Sequence, residues 1–107
     1  MKIYLDSIGC RLNQAEIERM AQQFRAAGHE IVGETAHADL AIVNTCTVTS
    51  AAAADSRKVI RRAKNAGIDE IIATGCWATM EPEKAAELSN KVVLNEQKET
   101  LVPDFLN

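Results

Sequence analysis

Long apolar runs are what this sequence most plainly lacks. No stretch of its 107 residues comes near the ~20 consecutive apolar positions of a helical membrane span, and Met1-Lys2 leads straight into a candidate strand without a signal-type apolar core. The expected compartment is the cytoplasm, with no membrane partner. Charge of one sign is not in excess either: net charge is −3, with 25% charged and 47% apolar residues, the balance of an ordinary globular protein. Nothing there points to a bulk electrostatic partner. Cysteine is sparse and odd in number, three in all, which excludes a complete disulfide framework; in a reducing compartment these remain thiols, and attention turns to metal or redox chemistry. Internal repeats, low-complexity tracts and internal linkers are missing too. The length suits one hydrophobic core, so residues 1–107 read as a single domain.

What the sequence does contain is organised around Asn44-Thr45-Cys46-Thr47-Val48-Thr49, which ends the apolar run Leu40-Ala41-Ile42-Val43 and opens an Ala-rich helix. A near-continuous apolar run of this length predicts a parallel strand buried on both faces. Around it the chain reads as strand 2–6, a helix capped by Asn13 with Ile17, Met20, Ala21 and Phe24 on one face, Gly28 as its stop, and a weak strand 29–32. A polar connection leads to strand 40–44. Then come a helix over 50–66, strand 70–74, a helix from Pro82 to Leu88, strand 91–94, Asn95 as a cap, and a last short helix ended by Pro103. The βαβ rhythm predicts an α/β fold, a three-layer domain with a mostly parallel sheet of about five strands. The expected strand order is the flavodoxin-like 2-1-3-4-5.

In that order strands 1, 3 and 4 are neighbours, and all three cysteines, Cys10, Cys46 and Cys76, follow their carboxyl ends. Open α/β sheets place their ligand crevices on this rim. The spacing contains no CxxC pair, so it is the shared position after a strand that draws the three together. Three thiolates without a fourth suit an iron-sulfur cluster with one iron open to an external ligand, or a zinc site completed by His or water. His29 and His37 both fall away from the cysteine rim. Buried structural thiols are the plain alternative.

The residues around the cysteines also resemble a known family. Gly9-Cys10-Arg11-Leu12-Asn13 with Glu16, Asn44-Thr45-Cys46-Thr47-Val48, and Thr74-Gly75-Cys76-Trp77-Ala78 with Pro82-Glu83 are similar to the three cysteine blocks of the N-terminal domain of the radical S-adenosylmethionine methylthiotransferases. Ser56 to Ala63 and Asn95 to Glu99 resemble the branch acting on threonylcarbamoyl-adenosine in tRNA. The resemblance implies that Cys10, Cys46 and Cys76 ligate an auxiliary 4Fe-4S cluster whose open iron holds the sulfur to be transferred next to the anticodon. It also implies a second cluster and S-adenosylmethionine in a radical domain, acting in cis or in trans, and a C-terminal RNA-binding domain. The CxxxCxxC motif of the radical domain is absent from this sequence, so the expectation is an excised domain or truncated relative that binds a cluster but is not active alone.

Gly9, Asn13, Asn44, Thr45, Gly75 and Trp77 are the candidate cluster environment: glycines for close backbone approach, amides and hydroxyls for sulfur contacts or for fixing turns, and Trp77 as a shield or a partly buried loop residue. Arg57, Lys58, Arg61 and Arg62, with Lys64, concentrate positive charge on one helix, where tRNA phosphates or another domain can meet it. The same cations also suit a solvated helix end. Aromatics for base stacking are not interleaved with them. A non-catalytic scaffold module and a zinc or thiol redox protein stand as rival readings. Leu101, Val102, Phe105 and Leu106 are expected to form an exposed apolar patch.

Overall fold

The computed structural model describes residues 1–8, 11–46 and 50–106. Five strands, β1 (Lys2–Ser7), β2 (Glu30–Val32), β3 (Leu40–Thr45), β4 (Glu70–Gly75) and β5 (Lys91–Val93), form one sheet in the order β2-β1-β3-β4-β5, and every pairing is parallel. The helices are α1 (Arg11–Ala26), α2 (Ser50–Asn65), α3 (Cys76–Met80), α4 (Pro82–Leu88) and α5 (Leu101–Leu106). The predicted architecture and strand order are thus those observed.

Period-two alternation along β3 sorts the core into two layers. Leu40 and Ile42 face Ile3, Met20 and Phe24 on the side covered by α1 and α5, whereas Ala41 and Val43 face Ile60, Ala63 and Trp77 on the side of α2, α3 and α4. Handedness explains the division. The chain steps from β1 outward to β2, then returns past β1 to β3 and moves the other way, so right-handed crossovers throw α1 and α2 onto opposite faces. The reversal between β1 and β3 is the switch point at which such sheets open a crevice. Full burial of Ile3, Phe24, Ile42 and Ile72 contributes about 1.5–3 kcal/mol per side chain.

Several boundaries differ from the sequence expectation. Asn13 is not the cap of α1: the helix begins two residues earlier, at Arg11, and the Asn13 carboxamide is used elsewhere. A short helix, α3, starts at Cys76, so Trp77 is a buried helical residue packed in the core rather than a partly exposed loop residue. Asn95 is no cap either; it opens a 3-10 segment, Asn95–Thr100, whose N-cap is Leu94. Pro103 lies inside α5, in the first turn where no backbone donor is required, and does not end it. The expected apolar patch is mostly internal. Leu101 and Val102 are buried, Phe105 packs edge-on against Phe24 with ring centroids 6.0 Å apart, and Leu106 alone of the four is exposed.

Candidate functional site

The carboxyl rim of β1, β3 and β4 is built from polar residues that have been drawn inside. In the β3–β4 register Thr45 is opposite Gly75, so Cys46 and Cys76 leave the sheet side by side on strands about 4.8 Å apart. Cys46 is buried and Cys76 half-buried. On the other side of β3, Ser7 of β1 is opposite Asn44, and the Ile8 N–H donates to the Asn44 carbonyl at 3.0 Å. Gly9 and Cys10, which follow, lie outside the described residues, as do Thr47, Val48 and Thr49. Among the described residues no three His, Cys, Asp or Glu side chains stand together; the third cysteine of the predicted set is not among them.

Each rim residue is held by bonds that cross between elements. Asn13 donates through Nδ2 to the Ile8 carbonyl at 2.8 Å and to the Thr45 carbonyl at 3.1 Å, so one amide on α1 ties together the ends of β1 and β3. Asn44 donates to the Asn13 carbonyl at 3.0 Å, and its Nδ2 lies 3.5 Å from Glu16 Oε1. Thr45 Oγ1 donates to the Thr74 carbonyl at 2.6 Å and accepts from the Ala78 N–H at 3.0 Å, fixing α3 beneath the rim. Under Cys46, the Ser56 hydroxyl accepts the Cys46 N–H at 3.1 Å and donates to the Ala52 carbonyl at 2.9 Å. Beside Cys76, Thr79 Oγ1 donates to the Gly75 carbonyl at 2.8 Å and accepts the Asn95 N–H at 2.9 Å, while Asn95 Nδ2 lies 3.6 Å from Cys76 Sγ.

Gly75 is required here for two separate reasons. Its φ is +96°, a conformation L side chains rarely adopt, and a Cβ would meet the Thr45 backbone and stand 2.6 Å from Asn44 Oδ1. The ends of β3 and β4 are therefore in direct backbone contact at the step that delivers Cys76.

The electrostatics of the rim favour negative charge. Helices α1, α2 and α3 all begin here, and none carries an acidic residue in its first turn to offset the positive end of the dipole. Among the described residues the perturbed titration lies elsewhere: the Tyr4 hydroxyl, on β1, is pushed up to about 12 by burial, by its 2.8 Å hydrogen bond to Asp6 and by the Asp6 charge, against the opposing pull of Arg62.

The predicted residues Asn13, Asn44, Thr45 and Gly75 thus gather around Cys46 and Cys76. Lys58, Arg61 and Arg62 of the basic run are exposed along α2 and Arg57 is half-buried. Arg57 lines an open groove of about 290 Å³ with Trp77, Met80, Glu81 and Lys84, next to the rim, where the Glu81 carboxylate stands 4.0 Å from Lys84 Nζ; Arg62 acts on Tyr4 over β1. His29 stands at the far end of the sheet, before β2, edge-on to Phe24. Sequence reasoning missed Ser56, Thr79 and Lys98. Ser56 and Thr79 hydroxyls are one helical turn from Ala52 and Gly75, the back-bonding spacing that could have marked them; Lys98 gave no local signal.

Comparison with known proteins agrees with the motif reading. The family model described as "Uncharacterized protein family UPF0004" matches residues 2–95. The threonylcarbamoyladenosine tRNA methylthiotransferase MtaB of Aquifex aeolicus is 36% identical over 105 residues, covering 95% of this chain and 26% of that protein. The protein of the same name from Bacillus subtilis is 42% identical over 77 residues, 71% of this chain and 17% of its own length. The ribosomal protein uS12 methylthiotransferase RimO of Shewanella baltica is 39% identical over 75 residues, 70% of this chain and 16% of its own length. The chain spans about a quarter of the length of the curated relatives it first matches.

Proposed function

This chain belongs to the Uncharacterized protein family UPF0004, as an N-terminal domain of the methylthiotransferase family, and we propose that it is the module holding an auxiliary 4Fe-4S cluster through Cys10, Cys46 and Cys76. The observation that carries the reading is the β3–β4 register, which sets Cys46 and Cys76 side by side at the switch-point rim. The donor chemistry fits: thiolates suit iron-sulfur clusters, the unopposed helix N-termini favour an anionic assembly, and the Asn95 amide beside Cys76 Sγ is the kind of contact that tunes cluster sulfur. Such a cluster supplies an iron without a protein ligand, able to hold an exogenous sulfur.

The chain's own residues do the rest. Asn13 and Thr45 fix the strand ends, Ser56 holds the backbone at Cys46, and the buried Trp77 and Ala78 close the rim from below. In this reading the sulfur goes to an adenosine of tRNA next to the anticodon, S-adenosylmethionine and a second cluster belong to a radical domain acting in cis or in trans, and the setting is the cytoplasm. The groove with Arg57 and Lys84 is the proposed seat of a tRNA phosphate, with Lys58, Arg61 and Arg62 as outlying cations.

Anaerobic reconstitution with iron and sulfide tests the proposal. About four irons per chain and a visible charge-transfer band, lost in each of Cys10→Ala, Cys46→Ala and Cys76→Ala, are expected. Absence of bound iron, or iron indifferent to the three substitutions, sinks the cluster and favours a scaffold, zinc or thiol module. For the RNA contact, Arg57→Ala and Lys84→Ala should each lower the salt slope of binding to an anticodon stem-loop by about 1, and Arg62→Ala should lower it less.

A further inference from the structure

Lys98 is the only buried charged residue among the described residues. It comes from the 3-10 segment before α5, three residues beyond the family match, and reaches across the domain to Glu16 of α1, Nζ to Oε1 3.0 Å. Lys98 is buried while the Glu16 side chain stays 23% exposed; desolvation of the ammonium offsets much of the attraction, so the pair is a poor way to gain stability. Its position suggests what it does instead.

Glu16 Oε1, held by Lys98, lies 3.5 Å from Asn44 Nδ2, and the Asn13 carbonyl accepts from that same nitrogen at 3.0 Å. Both neighbours are acceptors. Reversing the Asn44 amide would put its oxygen against a carboxylate and a carbonyl, so the orientation is fixed. Asn44 Oδ1 consequently faces Gly75, the residue before Cys76, and this fully buried oxygen has no hydrogen-bond donor among the described residues. Leaving a buried carbonyl-type acceptor unmatched costs about 1–3 kcal/mol, which the fold tolerates only if the orientation serves something.

We propose that Lys98 and Glu16 are positioning residues that lock the Asn44 carboxamide with its oxygen toward the Gly75-Cys76 step, so that the negative end of the amide dipole acts on whatever the cysteine rim holds. The lock itself stands on the geometry. Its effect on an iron-sulfur cluster rests on the function proposed above, where a fixed negative dipole end disfavours the added electron and holds the reduction potential down.

Two measurements separate these layers. In the metal-free chain, the Asn44 side-chain amide protons should be protected from solvent exchange and shifted by the carboxylate. Glu16→Gln, Lys98→Met and the charge-free Glu16→Gln/Lys98→Met pair, which leaves no uncompensated buried charge, should each shift them and speed exchange. An Asn44 amide that exchanges freely, or one that is protected but ignores all three, overturns the lock. In the reconstituted chain, Asn44→Ala and Glu16→Gln should each raise the cluster potential, and Glu16→Gln should add nothing once Asn44 is Ala. Additive shifts would show Glu16 acting through its own field and would overturn its positioning role. Failure of the wild-type chain to take up iron refutes the proposed function, while the amide measurement still decides the lock.

Discussion

The two halves of strands β3 and β4 are built on opposite principles. From Leu40 to Val43 and from Ile71 to Ala73 every side chain is apolar and buried; one residue further along, Asn44, Thr45 and Thr74 are just as fully buried but polar, and Gly75 has no side chain at all. The first half stabilises by removing apolar surface from water, at about 25 cal/mol per Å². The second gains little, because each polar group had to be desolvated before it was bonded. What it obtains is definition: hydrogen bonds with fixed directions, linking β1, β3, β4, α1 and α3 at the points where Cys46 and Cys76 emerge. The contrast predicts that substitutions in the apolar half cost stability alone, and that those in the polar half also cost the geometry of the rim.

The largest effect should come from Gly75→Ala, which meets the left-handed conformation and the Thr45 backbone together. A loss of about 3–5 kcal/mol in denaturant unfolding is expected. Gly33→Ala, where an added Cβ meets nothing, is the control and should stay within about 0.5 kcal/mol. In the apolar half, Ile42→Ala should cost about 3 kcal/mol through lost burial and the cavity left in a fully enclosed site. Once folded, however, that variant should still take up iron like the wild type. Loss of iron binding in folded Ile42→Ala would erase the proposed division of labour.

Ser56→Ala cuts the other way. It removes the hydroxyl that accepts the buried Cys46 N–H, a cost of about 1–2 kcal/mol, smaller than that of Ile42→Ala. Iron uptake should nevertheless fall more than for Ile42→Ala, because the backbone at a proposed ligand is released. Equal retention of iron in both variants would mean that the polar half merely tolerates burial.

The same contrast explains which parts of the molecule were legible in the sequence. The apolar halves announce themselves: Leu40-Ala41-Ile42-Val43 and Ile71-Ile72 read as buried strands, the βαβ rhythm fixes their neighbours, and the cysteines at strand ends mark the rim. The polar half depends on partners distant in sequence. Asn13 reads locally as a helix cap, but α1 has already begun at Arg11, and the Asn13 amide nitrogen donates to the distant Ile8 and Thr45 carbonyls. Lys98, in the polar stretch Asn95–Thr100, reads as solvated, and only the tertiary fold brings Glu16 to it across a separation of 82 residues. Helix α3 is too short for any periodicity to show, and Leu101 and Val102 read as exposed because their burial depends on α5 folding back beside Phe24.

The smallest effect should appear at Tyr4, whose polar contact lies away from the rim bonds and therefore tests whether charge on the sheet is independent of them. The Tyr4 hydroxyl donates to Asp6, and in the folded chain it keeps its proton up to about 12 instead of its ordinary value of 10.0. The unfolded chain releases that proton first, so it binds fewer protons than the native state throughout the interval between the two values. This contribution to stability is fully present below pH 10 and is lost as pH rises from about 10 to about 12. Tyr4→Phe should flatten the alkaline limb of the stability profile over that window and leave iron uptake at neutral pH unchanged. A Tyr4→Phe variant whose iron binding also fell would tie β1's polar pair to the rim, extending the functional half of the sheet to a strand face that the hydrogen bonds do not connect to it.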